Sequence, residues 1–124
     1  MEKSTVEKIA RGAIAPRSTD PPWRWAEKNI VVDKTSPFPG KFNANIAPWT
    51  KEPMECFGDN RVKDLAIMCS AQSGKTQMVI TLAAWCIAQD PGPAMWVMAA
   101  QDEAKTFART RLMPTLENCD AVAE

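Results

Sequence analysis

The residues of this sequence that can do chemistry in a fixed pattern are Cys69-Ser70-Ala71-Gln72-Ser73-Gly74-Lys75-Thr76. An apolar run, Leu65-Ala66-Ile67-Met68, leads into them, and a helix-like run from Met78 to Ala88 leads out. A turn carrying Gly-Lys-Thr between a strand and a helix is the arrangement that binds phosphate groups. The helix N-terminus offers unpaired backbone N–H groups and the positive end of its dipole, so a nucleotide's β- and γ-phosphates are stabilised there. Gln72, Ser73 and Gly74 would contribute the cradle. Gly74 also lets the backbone approach the ligand closely. Lys75 would reach the phosphates as a point charge, and the Thr76 hydroxyl would hold Mg²⁺. The expected ligands are therefore ATP and Mg²⁺. The full pattern is G-x-x-x-x-G-K-[ST], and Cys69 stands where its first glycine belongs. Gly-Lys-Ser/Thr alone arises by chance in roughly one chain of this length in twenty, so the flanking elements carry the argument.

Those elements read as strand, helix, strand, helix. Asp64 to Met68 forms a short, almost wholly apolar strand, as in parallel sheets buried on both faces. Gly74 to Gln89 forms a helix, with Val79, Ala83, Cys86 and Ile87 at helical spacing and Met78, Leu82 and Trp85 beside them. It is apolar on most sides, which suits burial in a larger body. Asp90-Pro91-Gly92-Pro93 stops it. Ala94 to Ala100 is a second continuous apolar strand. Gln101-Asp102-Glu103 opens a second helix, with acidic side chains at its positive end and Phe107, Ala108, Leu112 and Leu116 on its apolar face. Pro114 kinks or splits that helix near Thr110 to Met113. The order predicts an α/β fold of P-loop NTPase type, with an incomplete parallel sheet and right-handed crossovers. Residues 61–124 would form the first half of that domain, and residues 1–60 a helix and an irregular segment preceding it.

Within residues 1–60, two descriptions of the N-terminus are open: a helix over residues 3–15 with Val6, Ile9, Ala10, Ala13 and Ile14 on one face, or a loose tail. Asp20 is placed to cap a short helix beginning at Pro21 and running through Trp23, Trp25, Ala26 and Lys28. Trp25 is its packing anchor. Residues 33–53 hold Pro37, Pro39, Gly40, Pro48 and Pro53, which interrupt regular structure there. A connection this long is usually functional or draped over a neighbour. Trp49 either stacks on a nucleotide base or covers the core. Pro53 to Phe57 forms a helical turn or two, ended by Gly58-Asp59-Asn60.

The totals narrow the function. At 124 residues the chain is one domain at most. Its 15 basic and 15 acidic side chains cancel, and neither half is biased, so no basic stripe for nucleic acid exists within it. Cys56, Cys69, Cys86 and Cys119 lack C-x-x-C spacing and histidine is absent, which argues against zinc and against histidine-based triads. No leader-like stretch is visible, so free thiols in a reducing compartment are expected. No apolar run approaches the roughly 20 residues of a membrane span.

The run Ser70 to Thr76 resembles the phosphate loop of tailed-phage terminase large subunits of the lambda-like GpA type. There the first glycine is often replaced, and a glutamine two residues before Gly-Lys-Thr is common. Trp25-Ala26-Glu27-Lys28-Asn29, Pro39-Gly40, Ala47-Pro48-Trp49, Glu52-Pro53-Met54 and Ala108-Arg109-Thr110-Arg111-Leu112-Met113-Pro114 are similar in the same order, so the resemblance spans about residues 20–120. It implies a motor that hydrolyses ATP to pump viral double-stranded DNA through the portal into a procapsid, with a small terminase subunit as partner and a separate C-terminal nuclease, acting in the host cytoplasm. Carried over, Gln72 to Thr76 bind phosphate, Thr76 binds Mg²⁺, and Trp49 lies against adenine.

Two departures accompany the resemblance. Some terminases carry an arginine at the position of Ala71, a role that Arg109, Arg111 or a neighbouring subunit would have to supply here. The family is also several hundred residues long, and its Walker B carboxylates and nuclease cluster have no counterpart in this sequence, so negligible turnover is expected from it alone. Asp102 and Glu103, the nearest acidic pair, read as helix-capping residues. In the class that terminases resemble, two later strands separate the two found here. The segment is thus expected either to be marginally stable, with exposed strand edges, or to pair its two strands directly. The functional readings are a nucleotide-binding N-terminal piece of a terminase, a non-enzymatic prophage remnant or small-subunit docking module, and another P-loop protein such as a helicase or small kinase.

Overall fold

The computed structural model describes residues 3–14, 16, 18–34 and 36–123. Helix α1 spans Lys3–Ile14 and exposes Val6, Ile9 and Ile14; Ala15, the last residue of the expected helix, lies outside the described residues. Helix α2 (Pro22–Asn29) begins one residue later than expected. Pro21, extended at φ −61° and ψ 154°, is its N-cap, and no side chain caps it. Asp20 instead pairs with Lys28, one helix length further on. Two prolines in succession explain the shift. Pro22 fixes φ for the first helical residue, and the residue before a proline is pushed out of the helical region.

After α2, Val31–Val32 (β1) and Gly40–Lys41 (β2) form a two-stranded antiparallel sheet, with Val31 opposite Lys41 and Val32 opposite Gly40. Two 3₁₀ turns follow, Ala44–Ile46 and Pro48–Thr50, then α3 (Lys51–Gly58). Helix α4 spans Lys75–Gln89, and α5 spans Gln101–Phe107. A π-helical segment, Ala108–Leu112, leads into α6 (Met113–Glu117), and α7 (Asp120–Ala123) completes the described chain. The molecule is thus mostly helical with one small sheet.

The two expected parallel strands are absent among the described residues. Residues 62–70 and 91–98 carry no regular secondary structure, and neither joins a ladder. The physical reason lies in their surroundings. Each run is apolar on both faces, so it needs a strand on its edge and a layer on each side. The two do not supply each other's edge; Leu65 and Ile67 of one and Met95 and Val97 of the other line a groove of about 880 Å³ together with residues of α3 and α4. Direct pairing of the two, one of the two expected outcomes, is therefore not what the chain does.

The core sits elsewhere. Trp25, Ala26 and Ile30 bury against Ala84 of α4 and Cys119, with Trp85, Leu116 and Val122 packed around them. Met54 of α3 closes on Met78 and Leu82 of α4 beneath Trp23 and Phe42. Trp25 is 3% exposed, so it is the anchor the sequence indicated. The close crossing of α2 and α3 needs Gly58, where a Cβ would come within 3.1 Å of the Pro22 ring. Polar ties reinforce this packing. The Trp23 indole donates to Glu55 at 2.8 Å, and the Ala44 N–H donates to Glu27 at 3.1 Å. The first ties α2 to α3, and the second ties the irregular segment 36–50 to α2.

Candidate nucleotide site

The loop that precedes α4 is shaped by two residues in left-handed conformation. Gln72 has φ +58° and Gly74 has φ +82°. Such a backbone gathers N–H groups into a concave nest that attracts anions. The glycine is needed for its conformation rather than for space, since a Cβ there would meet only the Ala47 Cβ at 3.7 Å. Ser73, between the two, donates its hydroxyl to the Ser70 carbonyl at 2.8 Å, and Lys75 donates its ammonium to the same carbonyl at 3.0 Å. The lysine thereby folds back across its own loop.

Trp49 reaches this loop from 24 positions away in the sequence. Its indole Nε1 donates to the Ser73 carbonyl at 2.9 Å. It is 57% exposed, so it does not cover the core. Its position follows from a chain of local causes. Asn43 caps the first 3₁₀ turn by accepting from Asn45, Pro48 opens the second, and the Thr50 hydroxyl closes that turn on the Ala47 carbonyl at 2.7 Å.

Between the 36–50 segment and the loop lies a cavity of about 510 Å³. Gln72, Ser73, Gly74, Lys75, Thr76 and Trp49 all line it, so the structure brings together the full set of residues singled out from the sequence. Lys41, Phe38, Gln77 and Arg111 also line it. Phe38 and Lys41 fall in the irregular segment 33–53 and Gln77 in the helix over 74–89; nothing in their spacing marks them. Arg109 and the Asp102–Glu103 pair are not among the lining residues. The latter two occupy the first turn of α5, whose N-cap is Ala100 without any side-chain cap, so they do not make the expected capping bond.

The lining divides by character. Its charged side chains are Lys41, Lys75 and Arg111, with no carboxylate among them. Its aromatic side chains are Phe38, Phe42 and Trp49. In the wall, the Gln77 amide nitrogen is buried without a hydrogen-bond partner, and a buried donor left unpaired costs about 1–3 kcal/mol. A cationic nest, flat apolar surfaces and an unsatisfied donor fit a ligand with an anionic end and a ring. Among the described residues, no group of three or more Cys, Asp or Glu could hold a metal without help from a ligand. Nor is any helix long and apolar enough to cross a membrane.

Comparison with known proteins bears on this site. The model of the phage terminase large subunit gpA ATPase domain matches residues 36–124, which includes both walls of the cavity. A terminase large subunit of Enterobacteria phage P21 is 24% identical over 102 residues, covering 82% of this chain and 16% of that protein. The chain thus spans about a sixth of the curated relative's length. No solved structure matches it. With the family model covering more than half of its residues, the chain belongs to the phage terminase large subunit gpA ATPase domain family.

Proposed function

We propose that the chain binds ATP with Mg²⁺ in the cavity over the loop at residues 70–76, as the N-terminal portion of a P-loop ATPase that drives viral DNA packaging. The observation that carries this reading is the convergence on one cavity of the left-handed loop, Lys75, Thr76 and the Trp49 tether. Gln72, Ser73 and Gly74 would present backbone N–H groups to the phosphates. Lys75 would exchange the Ser70 carbonyl for phosphate oxygens, and the Thr76 hydroxyl would take a place in the Mg²⁺ shell. Bound Mg²⁺ neutralises phosphate charge and orients the γ-phosphate for transfer. Trp49, with Phe38 nearby, would flank the base. In this reading residues 61–124 are the first half of the ATPase domain, and residues 1–60 precede it. The partners proposed with it are double-stranded DNA, the portal and a small subunit, in the host cytoplasm, and family membership is what supports them.

Titration calorimetry with MgATP tests the assignment. The unmodified chain binds, and Lys75→Ala weakens binding by roughly tenfold or more, the value of a charge-assisted hydrogen bond. Equal affinity of the two would sink it. Turnover stays at background, because no pair of carboxylates faces the cavity. Hydrolysis abolished by Lys75→Ala would contradict that second expectation alone.

A second reading rests on α1, which leaves Val6, Ile9 and Ile14 between 50% and 81% exposed. Such an unpartnered amphipathic helix suits docking to a small terminase subunit. If Val6→Ser with Ile9→Ser leaves pull-down of the cognate small subunit unchanged, that reading is wrong.

A further inference from the structure

The cavity over the phosphate loop is lined by a charged side chain from neither of its two walls. Arg111 lies on the π segment, beyond α4 and α5, yet it lines the cavity with Lys75, and Arg109 does not. Two positions apart, the two side chains leave opposite faces of the helix, and the local geometry sets which face meets the cavity. Pro114 has no N–H to offer the Thr110 carbonyl, and its ring crowds that carbonyl. The helix relieves this by widening: the Met113 N–H reaches back five residues to the Ala108 carbonyl. A π turn inserts one residue into the helical count and so rotates the flanking faces by about 100°. The Arg111 backbone is then fixed where it stands, because the Thr115 hydroxyl donates to its carbonyl at 2.9 Å. The guanidinium itself meets no carboxylate among the described residues.

The charge at this place is unusual for the chain. Basic and acidic residues balance at 15 each over the whole sequence. The cavity nevertheless collects Lys41, Lys75 and Arg111 with no acidic residue. Three cations facing one space repel each other, and a bound polyanion removes that cost. Arginine is the member suited to grip it, because its planar fork matches two oxygens of one phosphate.

We propose that Arg111, presented by the π segment, contacts the phosphate chain of the nucleotide held by the loop. This rests on the nucleotide-binding reading above and adds a phosphate-binding residue from outside the loop.

The test is titration calorimetry of the full chain with MgATP, MgADP and AMP. The proteins compared are unmodified, Arg111→Gln, Arg111→Lys, Arg109→Gln and Lys75→Ala, with circular dichroism to confirm that each is folded. Arg111→Gln should weaken MgATP by about tenfold or more while changing AMP little. Arg111→Lys should recover part of the loss, since charge is restored without the fork. Arg109→Gln should bind as the unmodified chain does. If Lys75→Ala loses affinity but Arg111→Gln does not, the Arg111 contact is overturned and the loop assignment stands. Equal losses in Arg109→Gln and Arg111→Gln would also overturn it, as a general surface-charge effect. No binding by the unmodified chain overturns both.

Discussion

Trp49, read from the sequence as either stacking on a base or covering the core, joins a place in the cavity wall to a tether the sequence did not show. Its ring lines the cavity, and its N–H fixes the Ser73 carbonyl, so the same side chain shapes the nest and walls it. The roles separate by substitution. Trp49→Phe keeps a flat ring and removes a hydrogen bond worth about 0.5–1.5 kcal/mol, so MgATP affinity should fall a few-fold in calorimetry. Trp49→Ala should cost more. Phenylalanine matching tryptophan would mean that the tether contributes nothing to binding. A second residue pair makes a pH prediction. Hydrogen bonds from the Arg61 guanidinium, at 2.8–3.2 Å, and from its backbone N–H, at 3.0 Å, hold the Asp59 carboxyl at about 2, against an ordinary 3.8. The folded value is the lower one, so the unfolded chain binds more protons in between. The contribution to stability is complete above pH 3.8 and is lost as pH falls through about 2. It is small and salt-sensitive, because the Arg61 side chain is 91% exposed. An NMR titration should place Asp59 near 2 and, in Arg61→Gln, move it toward 3.8.

At the scale of elements, what could be read in advance was whatever a local cause decides. Helix α4 announced itself by Gly74 before it, Asp90-Pro91 after it and helical spacing between. Helices α2 and α3 were legible for similar reasons, except for the one-residue shift that consecutive prolines impose at α2. The loop was legible because its residues are contiguous. The strands were not. A continuous apolar run states that a segment seeks burial, but its hydrogen-bonding partner is a non-local property, and at 64–70 and 94–98 the chain provides none. Nor could two-residue strands at Val31 and Gly40 show any alternation. The place of Arg111 was hidden for a related reason, since it depends on how a proline deforms a helix. Pro114 was expected to interrupt that helix, and the interruption takes the form of a π turn. Its consequence can be measured. Pro114→Ala restores the missing N–H and permits a regular α-helix over 101–117, which withdraws the reason for the π turn. Helix content by circular dichroism should hold or rise, while MgATP affinity falls as in Arg111→Gln. Unchanged affinity with a chemical-shift-verified regular helix would show that the π turn has no part in placing Arg111.

Across the whole molecule, stability and exposure are unevenly distributed. One continuous arrangement of α2, α3 and α4 with the 116–122 region buries the core, and the cavity hangs from its α4 end. On another side are the two segments that join no sheet, where Met68 is 100%, Met95 88% and Val97 77% exposed. Trp96, 38% exposed, tilts against Phe107 at 4.9 Å. Exposed apolar segments with unpaired backbone groups are templates for pairing with other chains, and clustered apolar exposure of this kind is a recognised route to association. The 13.7 kDa chain should therefore sediment as species larger than a monomer as its concentration rises, and should enhance the emission of a hydrophobic dye. Placing a charge on each segment, Met68→Lys with Val97→Lys, should return sedimentation to the monomer and lower dye emission, as lysines do on natural sheet edges. Neither residue lines the nucleotide cavity, so MgATP affinity should be unchanged, which separates the surface effect from damage to the site. A native chain that stays monomeric at every concentration, with dye emission no higher than that of the double variant, would show that these segments are covered in solution by a rearrangement of the chain itself.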